Sequence, residues 1–200
     1  EFIILDTTSS DMTTASNLYD HICKHINQFI EENNFAAVFT ISAGILPLPD
    51  LSQTGYAELI KRTDFSLTMA KQHGRNCCYI FQEEEYQNFL RIREITNELH
   101  SAVNHSFRGF SIIFQPVMDI RQDKLTGAEV LIRFASKKFG PISPAEFIPL
   151  LETSGLIIPT GRWFMREAIT ACRKIRMQIP DFKVNINVSQ VQITKSDVIT

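Results

Sequence analysis

Two charged side chains share one face of a predicted β-strand, GAEVLIRF, at residues 127–134. Side chains alternate along a strand, so Glu129, Leu131 and Arg133 lie on the same face. Three apolar side chains lie on the other face: Val130, Ile132 and Phe134. Glu129 and Arg133 are separated by about 13 Å, at about 3.3 Å per residue, so they do not pair with each other.

Each charge therefore needs another partner, because a buried charge without one costs several kcal/mol. A metal ion beside Glu129 and a phosphate group beside Arg133 would satisfy both. An opposite charge on a neighbouring strand is the alternative for each of them. The spacing by itself leaves both explanations open.

A second predicted strand, VNINVS, repeats this pattern. Asn185, Asn187 and Ser189 share one face, and the other face is apolar: Val184, Ile186 and Val188. Asparagines that face an interior need hydrogen-bond partners or a cation. Glu129 and Asn187 together offer hard oxygen ligands, which Mg²⁺ or Mn²⁺ prefers and Zn²⁺ does not. Satisfied core amides are the alternative.

The elements that must position these residues alternate between strands and helices, which predicts an α/β protein with parallel pairing. The apolar patterns of the first part predict a β-α-β-α-β order: residues 1–6, 10–33, 36–45, 56–72 and 77–81. A polar helix with a thin apolar stripe follows at residues 83–104.

The second part predicts two strands, two helices and a further strand: residues 110–120, 124–134, 143–155, 161–179 and 183–189. At the start of its first helix, Ser143 suits the N-cap, Pro144 the N1 position and Glu146 the N3 position.

Composition is that of an ordinary globular protein, with 44% hydrophobic residues and a net charge of −2. This charge gives no general attraction to nucleic acid polymers or anionic lipid, so any phosphate site must be local. No segment resembles a signal peptide or a membrane span. Four cysteines without metal-ligand spacing indicate reduced thiols in a cytoplasmic protein. Because the chain begins without Met inside a predicted strand, we expect it to be part of a longer protein.

From residue 107 to residue 200 the ordered motifs FQPVMDI, KLTGAEVLIRF, GPISPAEFIPLLETSGLIIPTGRWFMREA and VNINVS resemble the first half of an EAL domain. This is the bacterial cyclic di-GMP phosphodiesterase family. The resemblance implies a TIM-type barrel with one altered strand, of which this chain would contain less than half. Two departures, Val130 for the signature alanine and Phe134 for a frequent tryptophan, lie on the packing face.

The same resemblance implies roles for five residues of the second part. Glu129 and Asn187 would be catalytic and would bind the metal, Mg²⁺ or Mn²⁺. Arg133 would hold a substrate phosphate, and Gln115 and Leu131 would contact the ligand. Two metal ions would activate a water and open cyclic di-GMP to linear pGpG. The remaining ligands of the family belong to the half-barrel beyond residue 200, so we expect this segment alone to be inactive.

The first part resembles the latter portion of a GGDEF domain, the diguanylate cyclase fold, from residue 1 to about residue 81. The motifs are EFIIL, FTISAGI and RTDFSLTMAKQHGRN, with Ser66 and Thr68 as departures. The resemblance implies a nucleotidyl-cyclase-like α+β domain in which Lys71 and Arg75 contact GTP phosphates. It implies a regulatory role for this domain.

Together the motifs predict a tandem GGDEF–EAL protein. Residues 1–82 would be the C-terminal part of a GGDEF domain, residues 83–105 a connecting helix, and residues 106–200 the N-terminal part of an EAL domain. The predicted function is metal-dependent hydrolysis of cyclic di-GMP, with a homodimer in the full-length form. Two alternatives stay open: a degenerate EAL domain that binds cyclic di-GMP as a receptor, or an active diguanylate cyclase half.

Overall fold

The computed structural model describes residues 1–6, 12–36, 39–48 and 55–195, which form two compact units. The units are residues 1–89 and 90–200, so the division falls inside one helix. The first unit and this helix contain, in chain order, α1 (Met12–Glu32), β1 (Ala43–Ile45), α2 (Tyr56–Gln72), β2 (Cys78–Ile80) and α3 (Glu83–Asn104). The remaining elements are β3 (Phe110–Asp119), β4 (Lys124–Ser136), β5 (Gly140–Ile142), α4 (Pro144–Thr153), α5 (Ile157–Arg176), β6 (Lys183–Ile186) and α6 (Gln190–Lys195).

In the first unit, β1 and β2 pair in parallel, and the helices α2 and α3 supply an aromatic core. Phe65 of α2 is 3% exposed and contacts the rings of Tyr79, Tyr86 and Phe89. Gly44 makes this packing possible, because a Cβ at that position would lie 2.4 Å from the backbone nitrogen of Leu67. The parallel pairing predicted for an α/β protein is confirmed here.

The strand predicted at residues 1–6 is wrong, because this segment pairs with no strand in the described part of the chain. Its apolar side chains are exposed, with Phe2 at 98%. An apolar, β-branched segment becomes a strand only when a partner takes up its backbone groups. The strand predicted at residues 36–45 is confined to β1, and residues 37–38 lie outside the described residues. Of the helix predicted at residues 10–33, Met12–Glu32 is confirmed, and residues 10–11 also lie outside the described residues.

The helix predicted at residues 83–104 is confirmed as α3. Its first half belongs to the first unit, where Glu83 accepts a 2.8 Å bond from Arg62. Its second half buries Ile95 and Leu99 completely in the core of the second unit. The thin apolar stripe of the sequence therefore marks a buried face in each unit.

In the second unit, β4 is the central strand of a four-stranded sheet. It pairs in parallel with β6 and antiparallel with both β3 and β5. Parallel pairing was predicted for the α/β architecture, and β3–β4 departs from it because the connection at residues 120–123 is short. A connection of that length can join only antiparallel neighbours.

Helices α4 and α5 cover the apolar face of β4. Phe164 and Ala168 of α5 pack against Val130, which is completely buried. The start of α4 confirms Ser143 as the N-cap and Pro144 at N1, but the predicted capping box does not form, since Ser143 makes no side-chain cap bond. Helix α5 begins at Ile157, four residues before the predicted start.

The described helices include no segment with the length and apolarity needed to cross a bilayer. All four cysteines are free thiols.

Candidate functional site

A row of polar side chains crosses three strands of the second sheet. Glu129 of β4 lies directly opposite Gln115 of β3 in the antiparallel register. On its other side it lies opposite Asn185 of β6 in the parallel register. Because opposite residues in a ladder point to the same face, all three side chains share the face that does not pack on α5.

Glu129 and Asn187 contact each other directly. The Asn187 side-chain amide donates a 2.6 Å hydrogen bond to Oε1 of Glu129. Asn187 follows the last ladder residue of β6, Ile186, and so reaches Glu129 diagonally from the carboxyl end of the strand. Both residues were predicted as metal ligands, and although they are 58 positions apart in the sequence, the fold brings them into contact.

Arg133 lies further along the same face of β4, with Leu131 between it and Glu129. Its Nη1 donates a 2.9 Å bond to the carbonyl of Ile132, which holds the base of the guanidinium against its own strand. Its partner across the antiparallel ladder is Ser111, an uncharged residue.

The sequence left open that Glu129 and Arg133 each meet an opposite charge on a neighbouring strand, and this alternative is wrong. Among residues 1–6, 12–36, 39–48 and 55–195, neither Glu129 nor Arg133 takes part in an ion pair. Glu129 has an amide partner and Arg133 a backbone carbonyl. Both charges therefore keep capacity for further partners on an open face of the sheet.

A cavity of about 520 Å³ is lined by residues 130–133 of β4, by residues 187–189 after β6, and by helices α4 and α5. Arg133 and Asn187 line it from the sheet, and Thr160 lines it from α5. The walls are largely apolar, with Ile148 and Leu151 of α4 among them. A largely apolar cavity of this volume with a few polar side chains in its wall is typical of a ligand site.

Sequence reasoning missed the polar contacts at the cavity. Ser189 was placed on the strand face with Asn185, but the strand ends at Ile186, and Ser189 caps α6 instead. Its hydroxyl accepts a bond from the backbone nitrogen of Val191 and donates to Glu152 of α4. The sequence SQVQ, a serine before a helical segment, carried the signal for this N-cap.

Lys71 and Arg75 lie in the first unit. Lys71, in the last turn of α2, pairs with Glu1 at 3.1 Å, and this hydrogen bond and charge lower the pKa of the Glu1 carboxyl. Arg75 lies in the turn after the helix with φ of 62°, beside Gly74 with φ of 106°. The helix predicted at residues 56–72 is confirmed as α2.

The donor set of Glu129 and Asn187 fits a hard divalent cation. Oε1 of Glu129 and the side-chain nitrogen of Asn187 are 2.6 Å apart. Rotation of the Asn187 amide group would exchange the positions of its nitrogen and oxygen, so that the oxygen could bind a cation together with Glu129. Oxygen donors of this kind suit Mg²⁺ or Mn²⁺. In the described residues no cluster of three or more His, Cys, Asp or Glu forms a metal site, so this pair supplies only part of a coordination sphere.

Comparison with known proteins identifies the second part of the chain. The family model of the EAL domain matches residues 96–200. MucR of Pseudomonas aeruginosa, a bifunctional diguanylate cyclase/cyclic di-GMP phosphodiesterase, is 27% identical over 203 residues, which cover 100% of this chain and 29% of MucR. The cyclic di-GMP phosphodiesterase PdeR of Escherichia coli K12 is 28% identical over 159 residues, which cover 80% of this chain and 23% of PdeR.

Among solved structures, the EAL enzyme Bd1971 bound to cAMP and cyclic di-GMP has a TM-score of 0.51 and 26% identity. The superposition covers 74% of this chain and 39% of that chain. The chain therefore spans less than a third of the length of MucR and PdeR and well under half of Bd1971.

Proposed function

Because this chain belongs to the EAL domain family, we propose that it is part of a cyclic di-GMP phosphodiesterase that opens its substrate to linear pGpG. The chemistry is hydrolysis assisted by Mg²⁺ or Mn²⁺. The cyclic di-GMP phosphodiesterases PdeR and MucR, as relatives of this chain, support the substrate class.

One observation carries the proposal: Asn187 donates to Glu129 at 2.6 Å on the same sheet face as Gln115. A carboxylate and two amides that converge on an open face, next to a cavity, suit a cation and a phosphodiester together.

Each residue then has a distinct part in the reaction. Glu129 and Asn187 hold the metal, which when bound supplies an activated water and stabilises charge on the phosphate. Arg133 binds a phosphate oxygen of the substrate, because its guanidinium has no carboxylate partner in the described structure. Leu131 and Gln115 contact the ligand next to Glu129, Leu131 from β4 and Gln115 from the neighbouring strand β3. The contact between Glu129 and Asn187 fixes their separation before any ligand arrives.

The proposal extends to the whole chain. Residues 1–82 form the C-terminal part of a GGDEF domain, 83–105 a connecting helix, and 106–200 the N-terminal part of the EAL domain. The match to bifunctional MucR along all of this chain supports this arrangement. Lys71 and Arg75 would contact phosphates of GTP, and the domain has a regulatory role. Both domains of this chain lie in the cytoplasm, whether or not a segment outside these residues anchors the full-length homodimer in a membrane.

The test uses the full-length protein that carries this chain. It is incubated with cyclic di-GMP and either Mg²⁺ or Mn²⁺, and pGpG is followed by chromatography. We expect metal-dependent pGpG that falls by at least about 100-fold in Glu129→Gln, since this change removes a charged metal ligand but preserves shape. The matched control is Glu167→Gln, an exposed carboxylate on α5, which should keep parent activity.

Two results would contradict the proposal in different ways. Cyclic di-GMP binding without pGpG under either metal would make the protein a receptor, not an enzyme. If Glu129→Gln and Glu167→Gln lose pGpG formation equally, the loss reflects lower protein stability and not the removal of a metal ligand.

A further inference from the structure

Helix α1 presents two histidines side by side on its exposed surface. His21 and His25 are one helical turn apart, and both are exposed. Their Nε2 atoms lie 3.0 Å apart, and the rings meet edge-on with centroids 4.3 Å apart. Without a ligand, two neutral imidazoles at this distance share one hydrogen bond.

The separation of the two nitrogens matches that of two ligands on a single metal ion. Bonds of about 2.1 Å that meet at about 90° place their nitrogens roughly 3.0 Å apart. A tetrahedral angle would need roughly 3.4 Å. The 3.0 Å between the two Nε2 atoms, set by their shared hydrogen bond, is already close to the separation that cis ligands at right angles require.

Right-angled nitrogen ligands are typical of tetragonal Cu²⁺ and Ni²⁺, whereas Zn²⁺ is usually tetrahedral. Two histidines four residues apart on one helix face are also the ligand spacing of known helical metal sites. Since the described residues hold no cluster of three or more His, Cys, Asp or Glu, water would complete the coordination. Gln28, next along this stripe, donates to Glu32 at 2.8 Å and so is already engaged.

We propose that His21 and His25 supply two protein ligands to a tetragonal divalent transition-metal ion of the Cu²⁺ or Ni²⁺ class, with water as the remaining ligands. The site lies in the first unit and is independent of the cation held by Glu129 and Asn187. An ion bound there links two successive turns of α1, so it stabilises the folded helix relative to the unfolded chain.

Ni²⁺ is the appropriate probe, because the four free thiols would reduce Cu²⁺. Tag-free full-length protein is titrated with Ni²⁺ by calorimetry, and thermal unfolding is followed with Ni²⁺ and after EDTA. We expect about one ion per chain from this site and a midpoint temperature that rises with Ni²⁺ and falls back with EDTA. His21→Ala and His25→Ala should each weaken binding at least about tenfold, since the second imidazole acts at high effective concentration.

Two variants serve as matched controls. His100→Ala removes an exposed histidine from α3 and should bind Ni²⁺ like the parent. The double variant His25→Ala/Asn27→His keeps two imidazoles on α1 but on different faces, and it should lose affinity as His25→Ala does. Alanine favours helices, so circular dichroism should show intact α1 in every variant.

The proposal is overturned if Ni²⁺ binds the parent no better than the double alanine variant of His21 and His25. It is equally overturned if the register-shifted variant binds as tightly as the parent, because affinity would then depend on histidine number and not on their contact. Tighter binding of Zn²⁺ than of Ni²⁺ to the parent protein would contradict the proposed right-angled geometry.

Discussion

Replacing Thr160 with valine should stabilise the second unit. The Thr160 side chain is completely buried at the cavity, and its hydroxyl has no hydrogen-bond partner in the described structure. The backbone nitrogen of Thr160 is already bonded to the Leu156 carbonyl at 3.1 Å. The hydroxyl therefore gives up its water on folding and gains nothing in return.

The size of the gain follows from this missing bond. Leaving a buried polar group unsatisfied costs about 1–3 kcal/mol, and the nearly isosteric Thr→Val change removes that cost without opening space. The two residues have similar helix propensities, so the helix contributes little. With a urea m-value of about 1–3 kcal/mol/M, the midpoint should rise by roughly 1 M.

Fluorescence of Trp163 provides the assay, because it is the one tryptophan of the chain and stacks on Phe107 within the second unit. The matched control is Thr96→Val on α3, whose hydroxyl donates to the Ile92 carbonyl at 2.8 Å and is exposed. This control should leave the midpoint unchanged or lower it slightly. Equal midpoint changes in both variants, or a lower midpoint for Thr160→Val, would refute the reasoning and indicate a water bonded to Thr160.

Three further outcomes are expected. Gly127→Ala should destabilise the second unit by about 1–3 kcal/mol and weaken metal binding, because the added Cβ would lie 2.5 Å from the Lys183 carbonyl; urea and Mn²⁺ titrations check this. Burial and a hydrogen bond to a carboxylate raise the pKa of Tyr79 to about 12 from 10.0, so stability present below pH 10 should fall between pH 10 and 12 in alkaline unfolding. Arg91→Leu should lower the urea midpoint by breaking the paired bonds to Glu146, and less so in high KCl, because salt screens exposed charges.

The alternation of polar and apolar residues was enough to predict the face on which the candidate site lies. Glu129 and Arg133 alternate with Val130 along β4, and the structure packs Val130 under α5 while the charged face stays open. Periodicity succeeds here because a central strand has neighbours on both sides, and one face must be buried.

Long-range contacts were beyond the sequence. The sequence around Glu146 suggested a capping box with Ser143, but Glu146 pairs with Arg91 instead. Local sequence could not predict this contact, because the two residues are 55 positions apart. Nothing local tells that residues 1–6 lack a partner strand in the described structure either. Both outcomes depend on which backbone or side chain arrives nearby, and hydrophobic pattern carries no information about that.

The contact between Glu129 and Asn187 also shows why β6 must be parallel to β4. In the ladder, Asn185 lies directly opposite Glu129, and only a strand that continues in the same direction brings the next same-face residue, Asn187, toward the carboxyl end of the site. An antiparallel β6 would carry that residue back toward Gly127, away from Arg133 and the cavity. Gly127 permits the close approach of β6, since any side chain there would meet the Lys183 carbonyl. Strand direction and one missing side chain thus place the two candidate metal ligands beside Arg133, the residue proposed to bind a substrate phosphate.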